Sequence, residues 1–150
     1  LGLLDASEDP NAKMRRYAVT GVALVILVAF GAWYSWFLFF FVPERLAVRH
    51  LMDAVVAGNL ELAYQIWKPH GTSYSFKEFQ GDWGESGYYG PVKSYRIESA
   101  EQPKEGSGVI VVVEISPFQP FPSSSDPHSG RNREVSLWVE RSDHSFSFPP

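Results

Sequence analysis

Residues Tyr17–Val42 read YAVTGVALVILVAFGAWYSWFLFFFV and hold no charged side chain. As a helix at about 1.5 Å per residue, the stretch spans roughly 39 Å, against a hydrocarbon core of about 30 Å. In lipid every backbone N–H and C=O needs an internal partner, and a single helix supplies them all. The alternative, a buried core helix, has every face apolar and only the 108 residues after Val42 to cover it. The stretch therefore predicts one transmembrane helix in contact with the lipid bilayer. It divides the chain into a tail (1–16), a span (17–42) and a domain (43–150).

Charge sets an expected orientation. Lys13, Arg15 and Arg16 precede the span, while Arg45 and Arg49 follow it beside Glu44 and Asp53. The excess of bases on the near side places the N-terminus in the cytoplasm and the domain outside it, in the periplasm of a bacterial inner membrane. The apolar run is much longer than the core of a signal peptide and has no small-x-small cleavage pattern after it, so an uncleaved anchor is expected. The net charge of −4 arises wholly beyond residue 42, where 14 acids face 10 bases. Nucleic-acid binding needs clustered Lys and Arg and is not expected. With no cysteine in the chain, disulfides, thiolate catalysis and thiolate-held metal centres are excluded.

Within the span, Gly31 and Ser35 form a small-xxx-small pair that permits close helix approach. Trp33, Trp36 and Phe37 belong to an aromatic-heavy last third. Trp at that place fits the membrane interface. The density of rings also fits packing against other membrane protein subunits, or against pigments or quinone bound by such neighbours. No histidine lies in the span, so it supplies no axial porphyrin ligand. Ahead of it, LGLLDASEDPN reads either as a loose tail interrupted at Pro10 or as a docking segment anchored by Leu1, Leu3 and Leu4.

Beyond the span the pattern turns amphipathic. Pro43 and Glu44 suit the first turn of a helix, and Val48, Leu51, Met52, Val55 and Val56 make its apolar stripe. Gly58 ends it, and Asn59 caps a second helix, LELAYQIW, with Ile66 and Trp67 inward. Pro69 and Gly71 close that helix. Ser75-x-x-Glu78 is a capping box that opens a third, with Phe76 and Phe79. GDWGESGYYGP (81–91) then reads as a glycine-rich turn. From there the period falls to two, giving strands at Val92–Glu98, Val109–Ser116, Glu134–Glu140 and His144–Phe148. The expected core is Val48, Leu51, Val55, Ile66, Trp67, Ile110, Val112, Leu137 and Val139. The fold class is α+β: about three helices packed on a curved antiparallel sheet behind the membrane helix.

The order helix, Ala57-Gly58-Asn59-Leu60-Glu61-Leu62-Ala63-Tyr64, short Ser75–Phe79 helix, then sheet, resembles the opening of nuclear transport factor 2-like, or cystatin-like, domains. The resemblance covers roughly residues 45–148. It implies a cone-shaped α+β domain, and bacterial members often sit behind one membrane anchor. The end departs from the family: Ser145-Phe146-Ser147-Phe148 stands where a Trp-x-Ile/Val-like segment is usual, so the final register is left open. Members include enzymes, carriers and structural modules, and no activity carries over with the fold.

Enzymes of that fold place an acid or base and a Tyr at the mouth of the cone. Asp82, Glu85, Tyr88 and Tyr89 are the local set of those types, but a glycine-rich turn does not fix the geometry that proton transfer requires. His50, His70, His128 and His144 show no metal-ligand spacing. No catalytic residue, cofactor or metal is expected, nor an enzyme. The long segment Pro117–Asn132, PFQPFPSSSDPHSGRN, is proline-stiffened. Its Phe118 and Phe121 are expected to meet a partner or else to fold back over the sheet, with partner contact favoured. The expectation for the whole is an accessory subunit of a larger bacterial membrane complex, with a respiratory or photosynthetic electron-transfer complex as its host. The alternative is a free-standing anchored domain binding a small molecule in its cone.

Overall fold

The computed structural model describes residues 10–68 and 73–150. Leu1, Leu3 and Leu4 of the tail, together with Pro69, His70 and Gly71, lie outside the described residues. The chain divides after Phe40 into two compact units.

The first unit is helix α1, Pro10–Phe39. Its start differs from the expected break at Pro10. Proline fits the first helical position, where its missing N–H has no partner to lose, so Pro10 opens the helix seven residues ahead of the apolar run. The helix is long and apolar enough to cross a membrane, and none of its residues is buried.

The second unit is the α+β domain. Helices α2 (Val42–Val56), α3 (Leu60–Trp67) and α4 (Phe76–Trp83) precede strands β1 (Ser94–Glu101), β2 (Gly108–Ser116), β3 (Arg133–Glu140) and β4 (Phe146–Ser147). The strands form one antiparallel meander in the order β1-β2-β3-β4. Local chemistry sets the helix ends. Pro43 sits in the first turn of α2. The Asn59 side chain accepts from the Leu62 N–H at 3.1 Å, and Gly58 takes a φ of +74° that an L side chain resists. Ser75 and Glu78 close the capping box reciprocally. α4 runs on through Gly81, Asp82 and Trp83, so the glycine-rich turn begins only at Gly84.

One face of the sheet meets the helices. Val109, Val111, Val113 and Ile115 of β2 are buried there, paired across to Val139, Leu137, Val135 and Arg133 of β3. Val48, Leu51, Met52 and Val55 of α2 and Trp67 of α3 complete the core. Ile110 and Val112, expected inside, are on the opposite face and only partly buried. VIVVV is apolar at every position, so its own pattern does not choose a face. Glu114, two residues further on, shares their side and stays out of the core. Ile66 is also only partly buried, at the edge of the core.

Between the helices and the sheet the interior is filled by rings. Trp67 lies 5.3–6.3 Å, centroid to centroid, from Tyr74, Phe79, Trp83, Phe146 and Phe148. The final register is set by Phe146 opposite Val139 and Ser147 opposite Trp138.

Candidate functional site

The α1 surface carries five of the expected contact residues. Trp33, Trp36 and Phe37 are 62%, 70% and 66% exposed. Trp33 stacks on Phe37 at 6.3 Å, in keeping with their i, i+4 spacing. A side chain added at Gly31 would meet nothing within 4 Å, and Ser35, one turn on, is also exposed. The notch between them is open to a neighbour.

In the domain, α2 and α3 leave a groove of about 860 Å³ on their outer side. Leu46 and Leu62 stand 49% and 44% exposed beside it. His50 of α2 and His144 of the β3–β4 turn also line it, with Asp53 and Lys68. Lys68 Nζ donates to the Asp143 carbonyl at 3.0 Å, which ties the end of α3 to that turn. Sequence reading assigned Leu46 and Leu62 no role, because both fall outside the inward stripes. Two large apolar side chains on the polar sides of adjacent helices were the available signal.

The acid and tyrosine set lies at the end of α4 and in the turn that follows it. Asp82 is joined not to Tyr88 or Tyr89 by its side chain but to Tyr74, whose hydroxyl donates to Asp82 Oδ2 at 2.8 Å. Burial pushes the Tyr74 phenol up, and the Asp82 carboxylate adds to the shift. Tyr89 is also raised, by burial and then by the Asp82 charge. A phenol moved upward is moved away from proton transfer near neutral pH. Glu85 is exposed on the turn. Tyr88 and Tyr89 meet edge to face at 4.9 Å, and the Arg133 guanidinium covers Tyr88 at 4.7 Å.

The long loop lies on the outer face of the sheet. Phe121 sits 4.9 Å beneath the Arg96 guanidinium of β1. Phe118 meets the His128 ring at 4.6 Å, and its carbonyl accepts from Ser94 Oγ at 2.6 Å. Both rings are partly buried and Pro122 is buried. A 3-10 turn at Pro127–Arg131 is capped by Asp126, which accepts from the His128 N–H at 2.8 Å. Of the histidines, His50 and His144 share the groove and His128 lies in this turn. Among the described residues no group of three His, Cys, Asp or Glu side chains is placed to hold a metal ion.

The molecule is thus an α+β domain joined to a helix that meets the length and apolarity of a membrane span. Comparison with protein-family models, with curated proteins and with solved structures gives no match.

Proposed function

We propose that this chain is a non-catalytic accessory subunit of a larger bacterial membrane complex, held there by α1. The observation that carries the reading is that helix itself: 30 residues with none buried. An apolar surface of that extent is uncovered in water and covered in lipid or by other subunits. Gly31 and Ser35 give the neighbour its point of close approach, and Trp33, Trp36 and Phe37 flank that point. The ring density supports an electron-transfer complex, respiratory or photosynthetic, as the host, with pigments or quinone held by the adjacent subunits. The bases at Lys13, Arg15 and Arg16 support a cytoplasmic N-terminus in the inner membrane and a periplasmic domain. The raised phenol of Tyr74 and the scattered acids support a role without catalysis. The resemblance to nuclear transport factor 2-like domains, bacterial members of which often sit behind one membrane anchor, supports the anchored reading.

Native electrophoresis of membranes in mild detergent, with mass spectrometry of the co-migrating chains, tests this. Co-migration with a large assembly, weakened by Gly31→Leu, is the expected result. Migration of the wild type alone at about the 16.9 kDa of the chain plus detergent overturns it. The second reading, an anchored small-molecule binder, is supported by the α2–α3 groove, since Trp67 and its neighbours occupy the interior. That reading predicts the lone species with an apolar compound retained.

A further inference from the structure

Beyond α1, the large hydrophobic side chains that stand exposed among the described residues are Val42, Leu46, Leu62 and Tyr88. Tyr88 has the Arg133 guanidinium over its ring. The other three belong to α2 and α3. Val42 and Leu46 are four residues apart on α2 and so share one side of that helix. Leu46 and Leu62 line the same groove, with Ile66 between helix and core. Single exposed apolar residues are ordinary, but a contiguous set marks a surface that something covers.

The covalent chain says what lies nearest. The domain begins at Phe41, directly after the unit that ends at Phe40, and Phe41 already packs against the domain's core. No linker separates the two. Pro43, the first residue of the groove, follows the last residue of the apolar run. Consecutive Cα atoms are 3.80 Å apart, so Pro43 lies at most about 11 Å from Phe40. The headgroup layer adds roughly 5–8 Å to each side of the hydrocarbon. The groove thus opens at the level of the headgroups of any bilayer that α1 crosses.

The polar residues around the groove fit that layer. Arg45, Arg49 and Lys68 are exposed, and among the described residues none has a carboxylate at ion-pair distance. Arg49 stands three residues after Leu46, on the same side of α2. Lys68 lines the groove itself. Its hydrogen bond goes to the Asp143 carbonyl, and an ammonium keeps further donors beyond that one. Asp53, the acid in the lining, accepts from the Tyr95 hydroxyl at 2.6 Å. Apolar side chains bordered by cations are the composition of an element that lies in a membrane interface.

We infer that the outer α2–α3 face docks on the phospholipid surface of the bilayer that α1 crosses. Leu46 and Leu62 enter the boundary between headgroups and acyl chains, and Arg45, Arg49 and Lys68 meet lipid phosphates. The occupant of the groove is then the bilayer itself. The inference rests on α1 as a membrane span, and not on membership of a complex.

The chain has no cysteine, so one introduced thiol carries a nitroxide at a chosen place. Ala57→Cys and Gln65→Cys both report from the groove lining and leave the proposed contact residues intact. Leu27→Cys in α1 reports the span, and Lys104→Cys, exposed in the β1–β2 turn, reports water. The full chain is placed in nanodiscs of phosphatidylcholine and phosphatidylglycerol. Relaxation of each label by oxygen, which concentrates in lipid, is compared with relaxation by a water-soluble nickel chelate. Labels at Ala57 and Gln65 are expected to favour oxygen, as at Leu27, and the label at Lys104 to favour nickel. Adding Leu46→Ser with Leu62→Ser should move both groove labels into water, with the thermal transition kept because both leucines are exposed. Arg45→Gln, Arg49→Gln and Lys68→Gln together should reduce the oxygen preference, and an unchanged preference overturns the phosphate contacts. Groove labels that favour nickel while Leu27 favours oxygen overturn the docking and leave the span standing. A Leu27 label that favours nickel overturns the span and the docking with it. Groove labels that stay in lipid in the serine variant overturn the role of the leucines. Shielding from both reagents with spin–spin broadening marks a second copy of the chain on this face and overturns the inference.

Discussion

Glu44 Oε1 lies 3.4 Å from Arg141 Nε, joining the first turn of α2 to the end of β3. Glu44 is only 4% exposed, and its Oε2 has no hydrogen-bond partner. A buried carboxylate beside one guanidinium is asymmetric in what its partners contribute. Arg141→Met leaves the acid buried without a cation and is expected to cost about 2–3 kcal/mol, the lower part of the range for a broken buried pair because the arginine is partly exposed. The double variant Glu44→Gln, Arg141→Met should recover most of that loss. Urea midpoints of the three proteins measure it, and a double variant as unstable as the single one rejects the account.

Trp67 is 2% exposed and touches rings from α4, β4 and the C-terminal segment. Trp67→Ala removes the piece that those elements share. The expected cost is about 3–5 kcal/mol, as for a large aromatic deleted from a core. An unmoved denaturant midpoint would place the ring outside the cooperative unit.

The two faces of β2 give a sharp contrast. Val113 is fully buried, while its neighbour Val112 faces outward and is partly covered. Val113→Ala loses about two buried methylene equivalents and leaves a cavity, for roughly 2 kcal/mol; Val112→Ala is expected to cost under about 1 kcal/mol. Equal effects would mean that the register is displaced by one residue.

The capping box of α4 makes a pH prediction. Ser75 N–H and Ser75 Oγ both donate to Glu78 Oε2, at 2.6 and 2.8 Å. The backbone hydrogen bond, with the hydroxyl second, holds the Glu78 carboxyl below the ordinary glutamate range. With the folded pKa depressed, the contribution is present above the unfolded pKa and is lost as pH falls through the folded one. Wild type should therefore lose stability on acidification relative to Glu78→Gln, which does not titrate. Melting temperatures of both proteins from neutral pH into the acid range give the difference, and parallel curves reject it.

Much of this fold was legible in the sequence, because its signals were local. Asn59, Gly58, Pro43 and the Ser75–Glu78 pair each specify a helix end through a bond made within a few residues. Long-range choices were harder. In VIVVV the period-two signal vanishes, and Glu114 was the residue that resolved the face. Tyr74 was missed as the partner of Asp82 because the contact forms only once α4 has wound through Gly81–Trp83. For Phe118 and Phe121 the sequence left open a partner contact, which was favoured, or folding back over the sheet. Arg96, whose guanidinium rests on Phe121, belongs to β1, and Arg131, which rests on Phe118, lies at the far end of the same segment, so no local pattern announces either contact. The groove between α2 and α3 is likewise a product of two helices meeting.

The ring-filled interior also separates four of the chain's five tryptophans into two optical pairs. Trp67 and Trp83 are both 2% exposed, with centroids 6.3 Å apart. Two indoles so close and so fixed couple as oscillators, and their mutual tilt of 56° makes the coupled transition chiral. Trp33 and Trp36 stand open on α1 and follow the polarity of whatever solvent surrounds that helix. Near-ultraviolet circular dichroism thus reports the packing of the domain, while emission wavelength reports the surroundings of the helix. A state that keeps far-ultraviolet helicity and loses the coupled band has kept its helices and lost its interior.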